Sequence, residues 1–213
     1  MTSTRNLDFS LLPNIESMDM FIRLEMDVDK KLKEDDTLHE VYERAQAALM
    51  FFCKASEEKE DWINSAFIRA GLNEFYSLED AARRDFKKSI KKSIKNSPKI
   101  RDSLNPLIHL MYLLRHANVH AKVSSTKVHP VSIISTLGEK SHEHSYGAII
   151  LESPILEDLP RCNEAKKYYK GTDLKSVADW FDNVQCVFGV GEVLRRGLSA
   201  YCRELLKSAK GET

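Results

Sequence analysis

The chain lacks an excess of charge of either sign, because its 32 Lys and Arg residues equal its 32 Asp and Glu residues over 213 positions. This balance excludes a uniformly basic coat for nucleic acid and a polyacidic, solvated chain. A partner that binds through charge must therefore contact a local patch. Long apolar runs are also missing, since the longest is Ala47–Cys53, which is too short to cross a bilayer.

Cysteine is scarce, and its four copies form no CxxC pair and no framework of disulfide spacings. The first residues contain no basic segment followed by an apolar run, so we recognise no secretory signal. These two features predict a soluble, cytoplasmic protein whose cysteines are free thiols with a structural role. The composition, 42% apolar and 30% charged, predicts a folded chain and argues against extended disorder.

Helical periodicity dominates the chain, with apolar residues three and four positions apart. After a flexible N-terminal arm, residues 1–12, we expect a single helical domain over residues 13–213. A β-hairpin is expected at about 128–152, where two β-branched runs flank a polar loop. The predicted fold is all-α, a bundle of four to five helices, with the small hairpin inserted before a last long helix, Asp173–Ser208.

Capping patterns predict where the helices begin and bend. Thr37 and Glu40 match a capping box, with Thr37 as the N-cap. Acidic residues directly after Ser56 would offset a helix dipole, so a second long helix is predicted to begin there. Another capping pattern predicts a break near Ser77. The predicted buried face of this second helix consists of Ile63, Ala66, Phe67 and Ala70. The next position on the same face is the acid Glu74.

Arg115 interrupts the apolar pattern of the helix that precedes the hairpin. It follows Met111 by four residues and Ile108 by seven, so we expect it on the buried face of that helix. Burying a guanidinium is costly unless the charge is paired or lines a wet site. Arg115 therefore needs an ion-pair partner, an interface or a ligand. Glu74, which also falls on an apolar stripe, is the candidate structural partner and could also orient Arg115 for a phosphate.

The residues around Arg115 could process a phosphodiester. Arg115 is a permanent planar cation suited to a phosphate, and His120 can take a proton at physiological pH. Together they could hold RNA while the 2′-hydroxyl is deprotonated and attacks, which gives a 2′,3′-cyclic phosphate and a 5′-hydroxyl without a metal. His116 and Asn118 lie between them in the chain. A plainer interpretation makes His120 a helix C-cap.

The segment Arg-His-Ala-Asn-Val-His, residues 115–120, resembles the Arg-x4–6-His motif of the HEPN superfamily. The resemblance implies a helix bundle that acts as a homodimer, with two motifs facing each other in one composite site. It also implies a metal-independent endoribonuclease of the kind found in toxin–antitoxin, phage-defence and RNA-processing systems. Arg115 and His120 would be the catalytic pair, and His116 the polar residue after the Arg. Some of these toxins carry Tyr two positions after the His, where this chain has Lys122.

A local basic segment, Arg83–Arg101, contains nine Lys or Arg residues against one acid. Such a run is often only a solvated helix face. Its functional interpretation is a track for the RNA backbone beside the motif. The backbone contacts would come from Lys87, Lys88, Lys91 and Lys92.

A histidine-dependent metal site is the weaker catalytic alternative. Six of the seven histidines lie between positions 109 and 144, but His116 and His120 lack the intervening Glu of a zinc protease. We therefore expect no metal and no other cofactor. The expected partners are RNA, a second copy of the chain and an antitoxin or regulatory protein, with no membrane. The main rival function is a non-catalytic helical module that binds RNA, a nucleotide or a protein through the same cleft.

Overall fold

Helices make up most of the structure, as the apolar periodicity predicts. The computed structural model describes residues 7–14, 24–58, 60–88, 98–120, 125–137, 140–152, 159, 163–168 and 171–211. Within these ranges the α-helices are α1 Met26–Glu34, α2 His39–Glu57, α3 Asp61–Lys88, α4 Pro106–His120, α5 Asn163–Tyr168, α6 Gly171–Phe188 and α7 Val190–Lys210. Two strands, β1 Thr126–Leu137 and β2 Lys140–Leu151, form a small antiparallel sheet. The prediction of a mostly helical chain with one hairpin is confirmed.

The helices α2 and α3 pack as a long antiparallel pair. Near the open end of the pair, Val41 of α2 lies beside Asp85 of α3, and further along Arg44 lies beside Glu74. Close to the connection, the Phe52 ring fills the space above Gly71, and a Cβ added there would lie 2.6 Å from the ring's Cδ1. Only glycine permits this approach, so the Phe52 ring packs directly on the α3 backbone where the two helices are close.

The start of α2 is capped from α3 and not by Thr37. Leu38 precedes the first helical residue, and the Thr37 hydroxyl donates to Asp35 Oδ1 at 2.5 Å. The Asp85 carboxylate accepts the N–H of Val41 at 3.0 Å, which satisfies one of the free donors of the first turn. The capping box predicted at Thr37 is therefore wrong, because a buried acid on another helix supplies the acceptor.

The boundaries of α3 also differ from the prediction. Ser56 lies in the last turn of α2, where its hydroxyl donates to Phe52 O at 3.2 Å, and α3 begins at Asp61. The helix continues without a break through Ser77, whose hydroxyl donates to Asn73 O at 2.9 Å. The predicted start at Ser56 and the predicted break near Ser77 are wrong, because both hydroxyls bond a carbonyl four residues back within a helix.

The buried face of α3 is not the stripe predicted from the sequence. The residues of that stripe, Ile63, Ala66, Phe67 and Ala70, are only half-buried. The residues that lie fully in the core include Ile68, Leu72, Phe75 and Leu78. The prediction fails because α3 contacts α2, α4, α7 and β1, so its apolar positions cover more than one helical stripe.

Helix α4 is enclosed on every side along most of its length. Every residue over 105–114 is buried, and the helix contacts α3, α5, α6 and α7. Gly197 of α7 lets the two helices approach closely, since a Cβ there would lie 3.1 Å from Leu107 Cγ. The structure thus places the sequence motif at the end of a central helix.

The hairpin is attached to the helices at its base. The strands pair along their full length, from Thr126 opposite Leu151 to Leu137 opposite Lys140. The Gln185 side chain of α6 both donates to Leu151 O, at 3.0 Å, and accepts from Leu151 N, at 2.9 Å. The predicted hairpin is confirmed, but its second strand begins inside the segment that we expected to be a loop.

The last long helix of the prediction is two helices. Gly189 separates α6 from α7 and has φ +83°, a left-handed conformation that favours glycine. The expectation of one helix over Asp173–Ser208 is therefore wrong, although a glycine marks the break. The region between the hairpin and α6 contains the short helix α5.

Part of the predicted N-terminal arm lies against the start of α4. The Asp8 N–H donates to Leu104 O at 2.9 Å, and the Asn105 side chain donates to Leu11 O at 3.1 Å. Leu7 and Leu12 pack against the core. Among the helices of the described ranges, none has the length and apolar character that a membrane span needs.

Candidate functional site

The motif lies where α4 leaves the core. The helix is buried up to Leu114, and then Arg115, His116 and Asn118 are half-buried. Because α4 is buried on all sides up to Leu114, Arg115 is distinguished by its place along the helix axis and not by a separate buried face. The guanidinium therefore sits at the boundary between the core and the surface, where a ligand could reach it.

Arg115 rests on an aromatic ring of the neighbouring helix. Its Cζ lies 4.4 Å from the centroid of the Tyr76 ring of α3. Such a cation–π contact contributes about 0.5–1 kcal/mol at exposed sites and more where water is excluded. The Arg115 Nε is buried and has no hydrogen-bond acceptor among the residues that the structure describes. The ring thus orients the guanidinium but does not satisfy its hydrogen-bonding capacity.

Glu74 does not hold Arg115. Its Oε2 accepts a hydrogen bond from Arg44 Nη1 at 2.7 Å, across the α2–α3 contact, and this bond raises the pKa of Arg44. No Glu74–Arg115 ion pair is found within the described part of the chain. The predicted pairing is corrected: Glu74 is directed toward α2, while Tyr76 is the α3 residue that contacts Arg115. The sequence missed Tyr76 because nothing in its local pattern separates it from an ordinary core-edge tyrosine.

His116 is part of an aromatic cluster with Tyr76 and Tyr112. The His116 and Tyr112 ring centroids are 4.5 Å apart at 59°, and the His116 and Tyr76 rings meet edge to face at 6.2 Å. The Tyr112 hydroxyl donates to Glu164 of α5 at 3.5 Å. His116 is therefore a packed ring beside Arg115, which suits an orienting role better than proton transfer.

The other motif residues lie at the end of α4. The Asn118 side-chain amide donates to Leu114 O at 2.8 Å, so Asn118 is tied back to its own helix. His120 is the last residue of α4, and its side chain lies outside the described part of the structure. His120 follows Arg115 by five positions, which corresponds to about 7.5 Å along the helix axis.

Two of the four predicted backbone-binding lysines can be placed. Lys87 and Lys88 are exposed in the last turn of α3, while Lys91 and Lys92 lie outside the described residues. The Lys88 Nζ lies 2.6 Å from Glu40 Oε1, and Arg84 Nε lies 2.5 Å from Glu40 Oε2. Hydrogen bonds from Lys88 and Arg84 lower the pKa of Glu40 to about 2.

The remaining reactive groups contribute no second site in the described ranges. Cys53, Cys186 and Cys202 are free thiols, and burial raises the pKa of all three, that of Cys202 to about 12. Cys202 is buried and the other two thiols are half-buried, and thiols with a raised pKa are poor nucleophiles and poor metal ligands. The described His, Cys, Asp and Glu residues also form no group of three that could hold a metal ion.

The described geometry combines a guanidinium that rests on Tyr76 with an imidazole packed beside it, near the end of the helix whose last residue is His120. Such a set can bind a phosphate and move a proton. Comparisons with models of protein families, with curated proteins and with solved structures return no match to this chain. A function must therefore be argued from the site itself and from the motif.

Proposed function

We propose that this chain is a metal-independent endoribonuclease of the HEPN type, a helix bundle that acts as a homodimer. The observation that carries the proposal is Arg115, a guanidinium at the end of the central helix whose buried Nε has no acceptor among the described residues. An RNA phosphate supplies the negative charge and the acceptor oxygens that such a group needs. The motif resemblance adds the histidine five residues later.

The reaction that suits these groups is an internal transesterification. His120 accepts the proton of the ribose 2′-hydroxyl, and the 2′-oxygen forms a bond to phosphorus. The bond from phosphorus to the 5′-oxygen breaks, and the leaving oxygen takes up a proton. Arg115 stabilises the charge that grows on the phosphate oxygens in the transition state, which makes a metal unnecessary. His116, packed on Tyr112, keeps the end of the helix in a fixed orientation.

The homodimer follows from the half-buried motif and from the resemblance. A second copy that covers the end of α4 would bring a second Arg115 and a second His120 to the same phosphate. Lys87 would guide the RNA backbone, with Lys88 partly engaged by Glu40. Enzymes of this kind serve as toxins or phage-defence effectors, and an antitoxin or regulatory protein would then cover the same surface.

Cleavage of a mixed RNA in the presence of EDTA tests the proposal. We compare the wild type with His120→Ala and with a matched control, His144→Ala, which removes an exposed histidine of the hairpin. Loss of general acid–base catalysis costs about 10²–10⁴-fold in rate, so His120→Ala should be nearly inactive and His144→Ala fully active. The products should end in a 2′,3′-cyclic phosphate and a 5′-hydroxyl.

Other outcomes of this experiment are equally informative. Equal cleavage by the wild type and His120→Ala would show that the activity uses another site, and loss of cleavage in EDTA would favour the metal-dependent alternative. RNA binding without cleavage would favour the non-catalytic module. Light scattering at micromolar protein tests the dimer, and a fully active monomer would contradict the composite site.

A further inference from the structure

Arg69 of α3 shares the unusual property of Arg115. It is half-buried, and its Nη1 is buried without a hydrogen-bond acceptor among the residues that the structure describes. A buried donor without an acceptor loses its hydration without compensation, so such groups are rare and each needs an explanation, of which a bound ligand is one. The sequence offers no local signal for Arg69, because it follows Ile68 as an ordinary helix-edge arginine.

The helix geometry puts Arg69 on the same side as the Arg115 contact. Arg69 precedes Tyr76 by seven residues, which is two helical turns and about 10 Å along the same face of α3. Tyr76 is the residue on which the Arg115 guanidinium rests, with Cζ 4.4 Å from the ring centroid. Arg69 therefore belongs to the face of α3 that meets α4.

The direction of α4 also brings its end toward Arg69. Before α4 begins, the Ile100 N–H donates to Glu79, near the C-terminal end of α3. After α4 ends, the Thr126 hydroxyl donates to Asp61 O, at the first residue of α3. The two helices are thus antiparallel, and from Arg115 onward α4 runs toward the level of Arg69.

We infer that Arg69 and Arg115, from the facing sides of α3 and α4, bind a single RNA phosphate between them. The two guanidinium groups belong to adjacent helices and carry the same charge, and a phosphate offers enough oxygens for both forks. The described acids nearby are engaged elsewhere, since Glu74 binds Arg44 and Glu79 accepts from Ile100. The RNA in this inference rests on the proposed function, whereas the phosphate rests on the two arginines.

Binding of an RNA that cannot be cleaved tests the inference. The probe is a fluorescent 2′-O-methyl oligoribonucleotide, which lacks the attacking hydroxyl, and its affinity is measured by anisotropy over a salt series. Arg69→Met should weaken binding by about tenfold to a hundredfold and reduce the salt slope by about one, because one phosphate contact is lost. Arg69→Lys should recover only part of the affinity, because an ammonium lacks the planar fork.

A matched control is Arg44→Met. This variant removes an arginine of α2 whose hydrogen-bond acceptor is Glu74 of α3. It should bind the probe like the wild type. Equal affinity and equal salt slope for Arg69→Met, or no binding by the wild type, would overturn the inference. If Arg69→Met does not fold, Arg69→Lys decides the matter, because unchanged affinity in that variant would equally contradict a bidentate phosphate contact.

The cleavage assay separates this inference from the proposed function. If the wild type cleaves no RNA while Arg69→Met and Arg115→Met both lose affinity for the probe, the phosphate site stands and the ribonuclease fails. If the wild type cleaves RNA and Arg69→Met cleaves and binds equally well, the ribonuclease function is supported and the phosphate contact of Arg69 is contradicted.

Discussion

Arg195 is fully buried and Arg115 is half-buried, and among the described residues a carboxylate pairs with Arg195 whereas none is found at Arg115. Arg195 is fully buried, and its Nε donates to Glu192 Oε2 at 2.7 Å in the first turns of α7. Arg196 donates to the same carboxylate at 2.7 Å. Arg115, by contrast, lies against an aromatic ring, and no acceptor for its buried Nε is found in the described ranges.

The contrast separates two uses of arginine. A buried cation with matched acceptors can be kept by the fold alone, since the carboxylate and its hydrogen bonds offset the loss of hydration. A buried donor without an acceptor costs stability in the free protein, and functional sites are one place where chains retain such groups. Arg195 is therefore expected to stabilise the fold, and Arg115 to serve binding.

The largest effect is expected when the compensated arginine loses its partner. Glu192→Gln keeps the shape of the side chain but leaves the Arg195 charge buried. Breaking a buried pair in this way costs about 3–5 kcal/mol, so the free energy of unfolding in urea should fall by that amount.

The control for this prediction is the double variant Glu192→Met, Arg195→Met. It removes both fully buried charges and should be less destabilised than Glu192→Gln, because the Arg195 cation is no longer left beside a neutral side chain, while Arg196 still has Glu25 within 3.9 Å. If Glu192→Gln lowers the free energy of unfolding by less than about 1 kcal/mol, the Glu192 carboxylate contributes little to Arg195. The contrast between Arg195 and Arg115 would then be wrong.

The fold was predictable from the sequence where the pattern was local. The helices and the hairpin follow from periodicity and from β-branched runs, but the break at Gly189 in the last helical region was not predicted. The start of α2 was not predictable, because its cap, Asp85, comes from a different helix. The buried face of α3 was predicted wrongly for a similar reason, because several elements pack against this helix and its apolar residues form no single stripe.

The candidate site divides in the same way. Arg115 could be singled out because a cation in an apolar run is unusual along any one helix. Its contact, Tyr76, and the second arginine, Arg69, lie on another helix and carry no local signal. Glu74 was predicted to pair with Arg115 because it lay on the face of α3 that we expected to be buried. That face was predicted wrongly, and Glu74 instead binds Arg44 of α2.

A small effect is expected when the uncompensated arginine is removed. Arg115→Met loses the cation–π contact with Tyr76 but also removes a buried donor without an acceptor, and the two contributions are of similar size. The free energy of unfolding should therefore change by less than about 1 kcal/mol, although RNA cleavage is lost. A loss of 3 kcal/mol or more would make Arg115 a structural residue like Arg195 and would undermine the phosphate site.

The smallest effect concerns an ion pair at the surface, where charges are compensated but solvated. Hydrogen bonds from Lys88 and Arg84 lower the pKa of Glu40 to about 2, from 4.5. A lowered carboxylate pKa gives stability that is complete above the unfolded value and is lost as the pH falls toward the folded value. The melting temperature of the wild type should therefore fall between pH 4.5 and 2 more than that of Glu40→Gln.

The control variant is Glu34→Gln, whose ion pair with Lys30 spans 3.9 Å on an exposed face, and its melting curve should follow that of the wild type. Because surface pairs are screened, 0.5 M salt should reduce the difference, and a difference that salt leaves unchanged would show that these charges are less solvated than their exposure indicates.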